Sequence, residues 1–387
     1  LNDLVLVADS SAGLAVFNVF NGMEPELVAQ VDTPGSARDV TLIGNLAVVA
    51  DGTGGLVAID LAAVPTAAMA WTAALGDVSC VASIADLVVA GLSNGRLVTL
   101  DGTSGVVLDE LEPRLAGPVQ DIEVLGETLF VLTQSQLHVI PWQAGSFVVS
   151  KTLGVTGLAT SGRRRRLFAE DTVLYVVHAN GYDTYDISNP LDPLPIAHGN
   201  STARGWRHIV TNGDGIGVAA VGLNVDGSGT STVELYDTSN PALTDQLLGR
   251  FSPPLGAEAI ALYNGLAYVA DGDAGLQVIN YLAYDSQGQL PTVVVSTVPD
   301  GPTIDENSIL LVKVSVEDDV QVRNVELLVD DEIVATDGNH PYQFFFRVPR
   351  RSLQTVLKVA VRASDTGGNR SAADERIFEI VPDSTSP

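Results

Sequence analysis

An all-β chain built in two parts is predicted by three observations. One hairpin pattern recurs seven times over about 285 residues. The runs between its turns are rich in β-branched residues, and nothing sustains a helical period of 3.6. Near residue 290 the repeat stops and cleanly alternating strands take over. A repeat of 40 to 45 residues holding four short strands is the pattern of a seven-bladed β-propeller, in which radial repetition protects sheet edges. The alternating remainder predicts a β-sandwich.

The hairpin is read first in "LVLVADSSAGLAVFNV" at 4–19, and again in "LAVVADGTGGLVAIDL" at 46–61 and "LAYVADGDAGLQVINY" at 266–281. Weaker copies stand at 87–102, 129–142, 174–188 and 216–239, with turns beginning at Asp9, Asp51, Gly91, Thr133, His178, near Gly222 and at Asp271. The second strand of each unit is nearly continuous apolar, as in "LAVVA" and "LFVL", which suits a strand covered on both faces. Gly13, Gly55, Gly95 and Gly275 supply positive φ where the chain turns back, and Asp9, Asp51 and Asp271 are expected to cap those turns as architecture. Innermost strands are expected near Ala37, Val78, Val119, Arg163, Arg204 and Gly256, with none before the first unit. That strand is expected from residues upstream of Leu1, from 281–290, or from a partner, upstream residues being preferred because "LNDLVLVAD" starts mid-blade.

The repeat V-A-D-x-x-x-G-L-x-V-x-(N/D) resembles the LVIVD-type repeat of bacterial and archaeal surface proteins, most closely in units one, two and seven. "DISNPLDPLPIAHGN" and "DTSNPALTDQLLGR" are similar to the D-x-S-x-P-x-x-P segment that follows that repeat, whereas Gly91 and Thr133 replace its Asp. The propeller is assigned to 1–290. Residues 291–387, with "SVEDDVQVRNVELLVDDEIVATD", "HPYQFFF" and "VRASDTGGNRSA", resemble the bacterial Ig-like β-sandwich of secreted adhesins. In "LKVAVRA", Leu357, Val359 and Val361 share one face. The resemblance implies an extracellular or cell-surface chain in which the Ig-like domain is a spacer.

Composition narrows the partners. Of 387 residues, 47 are acidic and 20 basic, a net charge of -27, and Lys151, Lys313 and Lys358 are the three lysines. Such acidity disfavours nucleic acid and suits a salty medium. No apolar run is long enough for a transmembrane segment, and "LNDLVLVADS", lacking an initiator Met and a charged leader, reads as a mature or trimmed chain. Cys80 is the single cysteine, so no intrachain disulfide forms, and its apolar run "DVSCVASIAD" reads as packing.

The unusual local feature is "SGRRRRLFAED", Arg163 to Arg166, with "STARGWRHIV" adding Arg204, Trp206, Arg207 and His208, and Arg38 in unit two. Loops into innermost strands share a face with the hairpins. These residues are therefore candidates for a basic patch that clamps a partner's carboxylates or sulfates at the channel mouth. The competing and preferred reading is internal pairing with acidic hairpins of adjacent blades; protease cleavage at the Arg run is a third.

Calcium is a candidate cofactor at Asp226 in "NVDGSGTS" and at Asp318 and Asp319 in "VEDDV", with Asp305, Glu306 and Asp365 elsewhere in the second domain. None matches the spaced calcium loop, and surface turns are the default. Enzyme motifs are lacking, and His138, His178, His198, His208 and His340 are scattered, although His178 and His208 could meet at one mouth. The expectation is a non-enzymatic, adhesion-type binding protein for a protein or glycan at the cell surface. The alternatives are a self-assembling subunit of a filament or surface layer, and a hydrolase or lyase with its site in the central funnel.

Overall fold

A computed structural model of the chain describes residues 3–143, 146–156, 164–201, 205–224, 228–283 and 285–383. The described residues up to Asn280 form antiparallel sheets that follow one another along the chain. The first is Leu4–Ala8, Leu14–Asn18 and Glu26–Val31; the second is Asp39–Ile43, Leu46–Ala50, Leu56–Asp60 and Ala68–Ala73. The third begins at Val78–Ile84, the fourth at Val119–Leu125, the fifth at Leu167–Glu170, the sixth at Trp206–Thr211 and the seventh at Ala259–Tyr263.

Each neighbouring pair of sheets shares one apolar cluster, so the faces are buried sheet against sheet around a channel lined by the innermost strands. Cys80 is wholly buried in the cluster between the third and fourth sheets, where burial pushes its thiol well above the ordinary range and keeps it protonated. The seventh sheet meets the first across Val19, Leu266 and Tyr268, with Val5, Phe17 and Leu276 beside them. The Tyr268 hydroxyl donates to the Gly22 carbonyl (3.3 Å) and that of Tyr263 to Asp3 (2.5 Å), so the ends of the ring are joined although no strand is shared between them among the described residues.

In the first sheet Leu4–Ala8 holds the place of the other sheets' second strands, packing Leu4, Leu6 and Ala8 toward Val40 and Leu42 of the second sheet, and among the described residues no strand fills the innermost place beside it. Its only described strand partner is Leu14–Asn18. The expectation that 281–290 supplies an inner strand is corrected: no strand occurs among its described residues, because Tyr281 and Asp285 are drawn into buried positions at the junction with the second domain.

The hinge glycines have the positive φ anticipated, +87° at Gly55, where a Cβ would also come 2.2 Å from the Ala73 carbonyl oxygen. The turn aspartates are architectural by another route. The main chain closes the turn, Asp51 N–H donating to Gly55 and Gly54 N–H to Asp51. The Asp51 carboxylate instead accepts from Thr33 Oγ1 and Gly35 N (both 2.6 Å), and that of Asp271 from Leu255 N (3.1 Å). The motif aspartate thus ties its hairpin to the loop that enters the innermost strand.

The second domain is a sandwich. One sheet orders Thr292–Val298, Ile309–Glu317 and Tyr342–Arg347; the other runs Thr303–Asp305, Asp374–Val381, Val356–Asp365, Val322–Val329 and Glu332–Asp337. Leu357, Val359 and Val361 point together into its core. This domain does not stand clear of the propeller as a spacer would. Gln343 accepts from Gly126 N (2.8 Å) and donates to the Val124 carbonyl (3.0 Å), Arg347 pairs with Asp86, and the Tyr281 hydroxyl donates to Gln321 (3.1 Å). Residues 333–345 close the end of the channel where first and second strands of the sheets connect.

The seam between seventh and first sheets has the smallest of the apolar clusters shared by neighbouring sheets, so it should be the ring's most sensitive point. Tyr268→Ala is expected to lower stability by about 3 kcal/mol or more. Tyr268→Phe, losing one long hydrogen bond, should cost only about 1 kcal/mol. Urea unfolding midpoints measure both.

Candidate functional site

The channel is a cavity of about 990 Å³, walled by innermost strands and floored by the Ig-like domain. An innermost strand has no strand on its channel side, so its polar groups need other partners. Side chains of neighbouring strands supply several. Asp39 accepts from Val81 N (3.1 Å), Asp121 from Leu167 N (2.8 Å) and His208 Nδ1 from Ile260 N (3.2 Å). Glu123 accepts from the Ala169 main chain.

Arg164 is the hub. Its guanidinium reaches Asp121 (3.0 Å), Asp39 (3.1 Å) and the Ser79 carbonyl (2.9 Å), joining the second, third and fourth sheets. Burial alone would lower its pKa, but Asp39 and Asp121 raise it well above the ordinary arginine range. Burial likewise pushes the Asp121 carboxyl up against the pull of Arg164. Arg165 spends its donors on the carbonyls of Val177, Gln134 and Thr156. Arg166 lines the channel beside Arg164, and burial followed by that like charge lowers its pKa.

The clamp read from the sequence is therefore corrected for Arg164, Arg165, Trp206, Arg207 and His208, which are engaged inside the chain. Trp206 and Arg207 are buried, Trp206 against Tyr182 and Tyr236, Arg207 on Glu258 (3.2 Å) and the Leu223 carbonyl (3.0 Å). His208 is neutral, since burial and then Arg166 and Arg164 hold its pKa well below the ordinary value. Arg38 is exposed and pairs with Asp77 (2.7 Å). Arg163 and Arg204 lie outside the described residues. Internal pairing accounts for Arg164, but with carboxylates of innermost strands and not with the acidic hairpins. The physical reason is register: residues that open an innermost strand point at the unpaired channel edge, where carbonyls and carboxylates await donors.

His178 and His208 do not meet. His178 instead gathers with Asp183 and His198 in the fifth sheet, their ligand-type atoms within 4.8 Å of one another. Burial would raise Asp183, but hydrogen bonds from His178 and Thr156 outweigh it and hold its carboxyl below the usual range. His178 Nδ1 accepts from Asn180 N (3.2 Å), which puts the proton on Nε2, aimed at Asp183 (3.1 Å). A metal on Nε2 would require the opposite tautomer, so the cluster reads as a hydrogen-bonded brace. The sequence offered no signal for it beyond the turn position of His178.

The residues read as calcium candidates are not brought together. Asp226 lies outside the described residues, and Asp319 turns away to accept from Gln289 (3.2 Å). Asp318 meets Asp285 and Asp365, which no local spacing links.

Sheets radiating from a channel lined by their innermost strands define a β-propeller, here stoppered by a sandwich. The chain carries LVIVD repeats, matched at residues 34–65 and 256–280, and a bacterial Ig domain, matched at 291–355. Among solved structures it is similar to the computationally designed Ika8 protein, with 13% identity, TM-score 0.53, 72% of this chain and 93% of that chain covered. It is also similar to the WD40 β-propeller domain of Doa1, with 15% identity, TM-score 0.52 and coverage of 72% and 88%. BamB from Moraxella catarrhalis aligns with 15% identity, TM-score 0.49 and coverage of 72% and 81%. These likenesses concern the fold. No curated protein matches the chain in sequence.

Arg164→Met should strand the buried Asp121 and the half-buried Asp39 and cost about 3 kcal/mol, with much of the loss recovered on adding Asp39→Asn and Asp121→Asn. Burial, then the Asp121 charge, raises Glu123 to about 8. Between the ordinary carboxyl range and that value the folded chain holds a proton that the unfolded chain releases, so Glu123 makes stability fall as pH rises through this window. Glu123→Gln should flatten that dependence, read from melting temperatures between pH 5 and pH 9.

Proposed function

We propose that this chain is a non-enzymatic extracellular binding protein, a seven-bladed propeller whose uncovered face takes a protein or glycan partner at a cell surface. The observation that carries the reading is the stopper. With the Ig-like domain bonded over one end of the channel, the opposite face is left to present the described hairpins and entry loops. Ser11, Thr53, Asn94 and Asp273 are exposed there, and so are Leu223 and Leu255. The channel's ionisable groups support a structural role, since Asp39, Asp121, Glu123 and His208 are engaged with main-chain N–H groups. The bacterial Ig domain supports an extracellular setting, and among the described residues no helix is long and apolar enough to cross a membrane.

A self-assembling structural subunit is the second reading. It is favoured by Leu4–Ala8, whose channel-side edge no described strand pairs, since such an edge is a template for a donated strand.

The test is capture of defined glycans and of cell-surface proteins from the producing organism on the immobilised chain. A triple variant Ser11→Arg, Thr53→Arg, Asn94→Arg should weaken binding by tenfold or more, equivalent to about 1.4 kcal/mol. Ile377→Asp, on the sandwich, should leave it unchanged. Equal capture by all three proteins would remove the uncovered face as the site, and concentration-dependent growth of the chain into larger species would favour the structural subunit.

A further inference from the structure

Asp285 lies in the connection between Leu276–Asn280 and Thr292–Val298, Asp318 follows Ile309–Glu317, and Asp365 ends Val356–Asp365. One carboxylate oxygen from each lies within 4.8 Å of the other two. Asp285 is 1% exposed and Asp365 fully buried. Three carboxylates so placed repel one another strongly unless a cation or protons intervene. Among the described residues, none of the three forms an ion pair with Lys, Arg or His.

Their hydrogen bonds leave specific atoms over. Asp365 accepts from Asn369 N and Asn369 Nδ2, both at 2.7 Å. Asp285 accepts from Gln287 N (2.9 Å) through Oδ1, and Asp318 from Val320 N (3.2 Å) through Oδ2. Asp285 Oδ2 and Asp318 Oδ1 are buried with no hydrogen-bond partner. Gly367 closes over the first: a Cβ there would lie 2.9 Å from Asp285 Oδ2. Orphaned buried acceptors call for a donor or a cation.

We propose that Asp285, Asp318 and Asp365 form a calcium site at the junction of propeller and Ig-like domain. The donor set is oxygen only, which disfavours zinc and other metals that prefer nitrogen or sulfur. Carboxylates from three separated segments suit the six to eight oxygens of Ca²⁺, with water and main-chain carbonyls completing the shell. The cation ties the connecting segment to the ends of two strands from different sheets of the sandwich. It thereby holds the stopper in its seat beside the Tyr281–Gln321 hydrogen bond.

The experiment uses the full chain, stripped with a chelator, with Ca²⁺ or Mg²⁺ added back and followed by calorimetric titration and thermal melting. Asp285→Asn and Asp365→Asn are measured beside it, their folding checked by circular dichroism. The expected result is saturable Ca²⁺ binding near one equivalent with an affinity in the range of about 10⁻⁶ to 10⁻³ M, and a melting temperature raised by calcium. Both variants should lose at least tenfold in affinity. In chelator, Asp285→Asn should melt no lower than the parent, because it relieves repulsion; this crossing separates a cation site from a merely damaged fold. Absence of Ca²⁺ binding up to about 10 mM, undiminished binding in both variants, or stronger binding of Mg²⁺ than of Ca²⁺ would overturn the assignment.

Discussion

Every sheet of this propeller is apolar on both faces, so each needs a neighbour on either side, and the ring is only as sound as the seam where its ends meet. Val19, Leu266 and Tyr268 form that seam. Among the described residues no strand is shared between the ends; Leu266 sits against Gly22 and two tyrosine hydroxyls reach across the junction. The larger clusters elsewhere, such as the group of Tyr175, Tyr182, Trp206 and Tyr236 between the fifth and sixth sheets, depend on this closure for their burial.

The same radial geometry creates the polar problem that the channel residues solve. Innermost strands turn one edge to a cavity, and the chain satisfies that edge with side chains from the next sheet. Asp39 and Asp121 accept main-chain N–H groups and hold Arg164 between them. A feature that looks like a binding patch in one dimension is thus a structural network in three. Arg164 and Arg165 are internal because they lead into an innermost strand, where acceptors face the cavity.

The Ig-like domain changes what the propeller can offer. Gln343 satisfies both a main-chain donor and a main-chain acceptor of the fourth sheet, and the hairpin around Gly338 and His340 lies against Tyr263 and Gly213. One face is consumed by this contact. The face left open carries the hairpins, which the motif aspartates tie to the loops entering the innermost strands, Asp51 on Thr33 and Gly35 being the clearest instance.

Local pattern by itself determined the strands, the hinge glycines and the change of architecture near residue 290, because alternation and turn chemistry act between residues close along the chain. "VADGTGGLV" needs no distant partner to be read as a hairpin. It also exposed Arg164, Asp318 and His178 as unusual, without saying what each faces. Those answers joined Arg164 to Asp39, Asp318 to Asp285, and His178 to His198, pairs separated by whole strands or whole blades. Only the tertiary structure decided them, along with the seating of the Ig-like domain on the channel. Ring closure and domain packing bring together groups whose spacing in sequence carries no period.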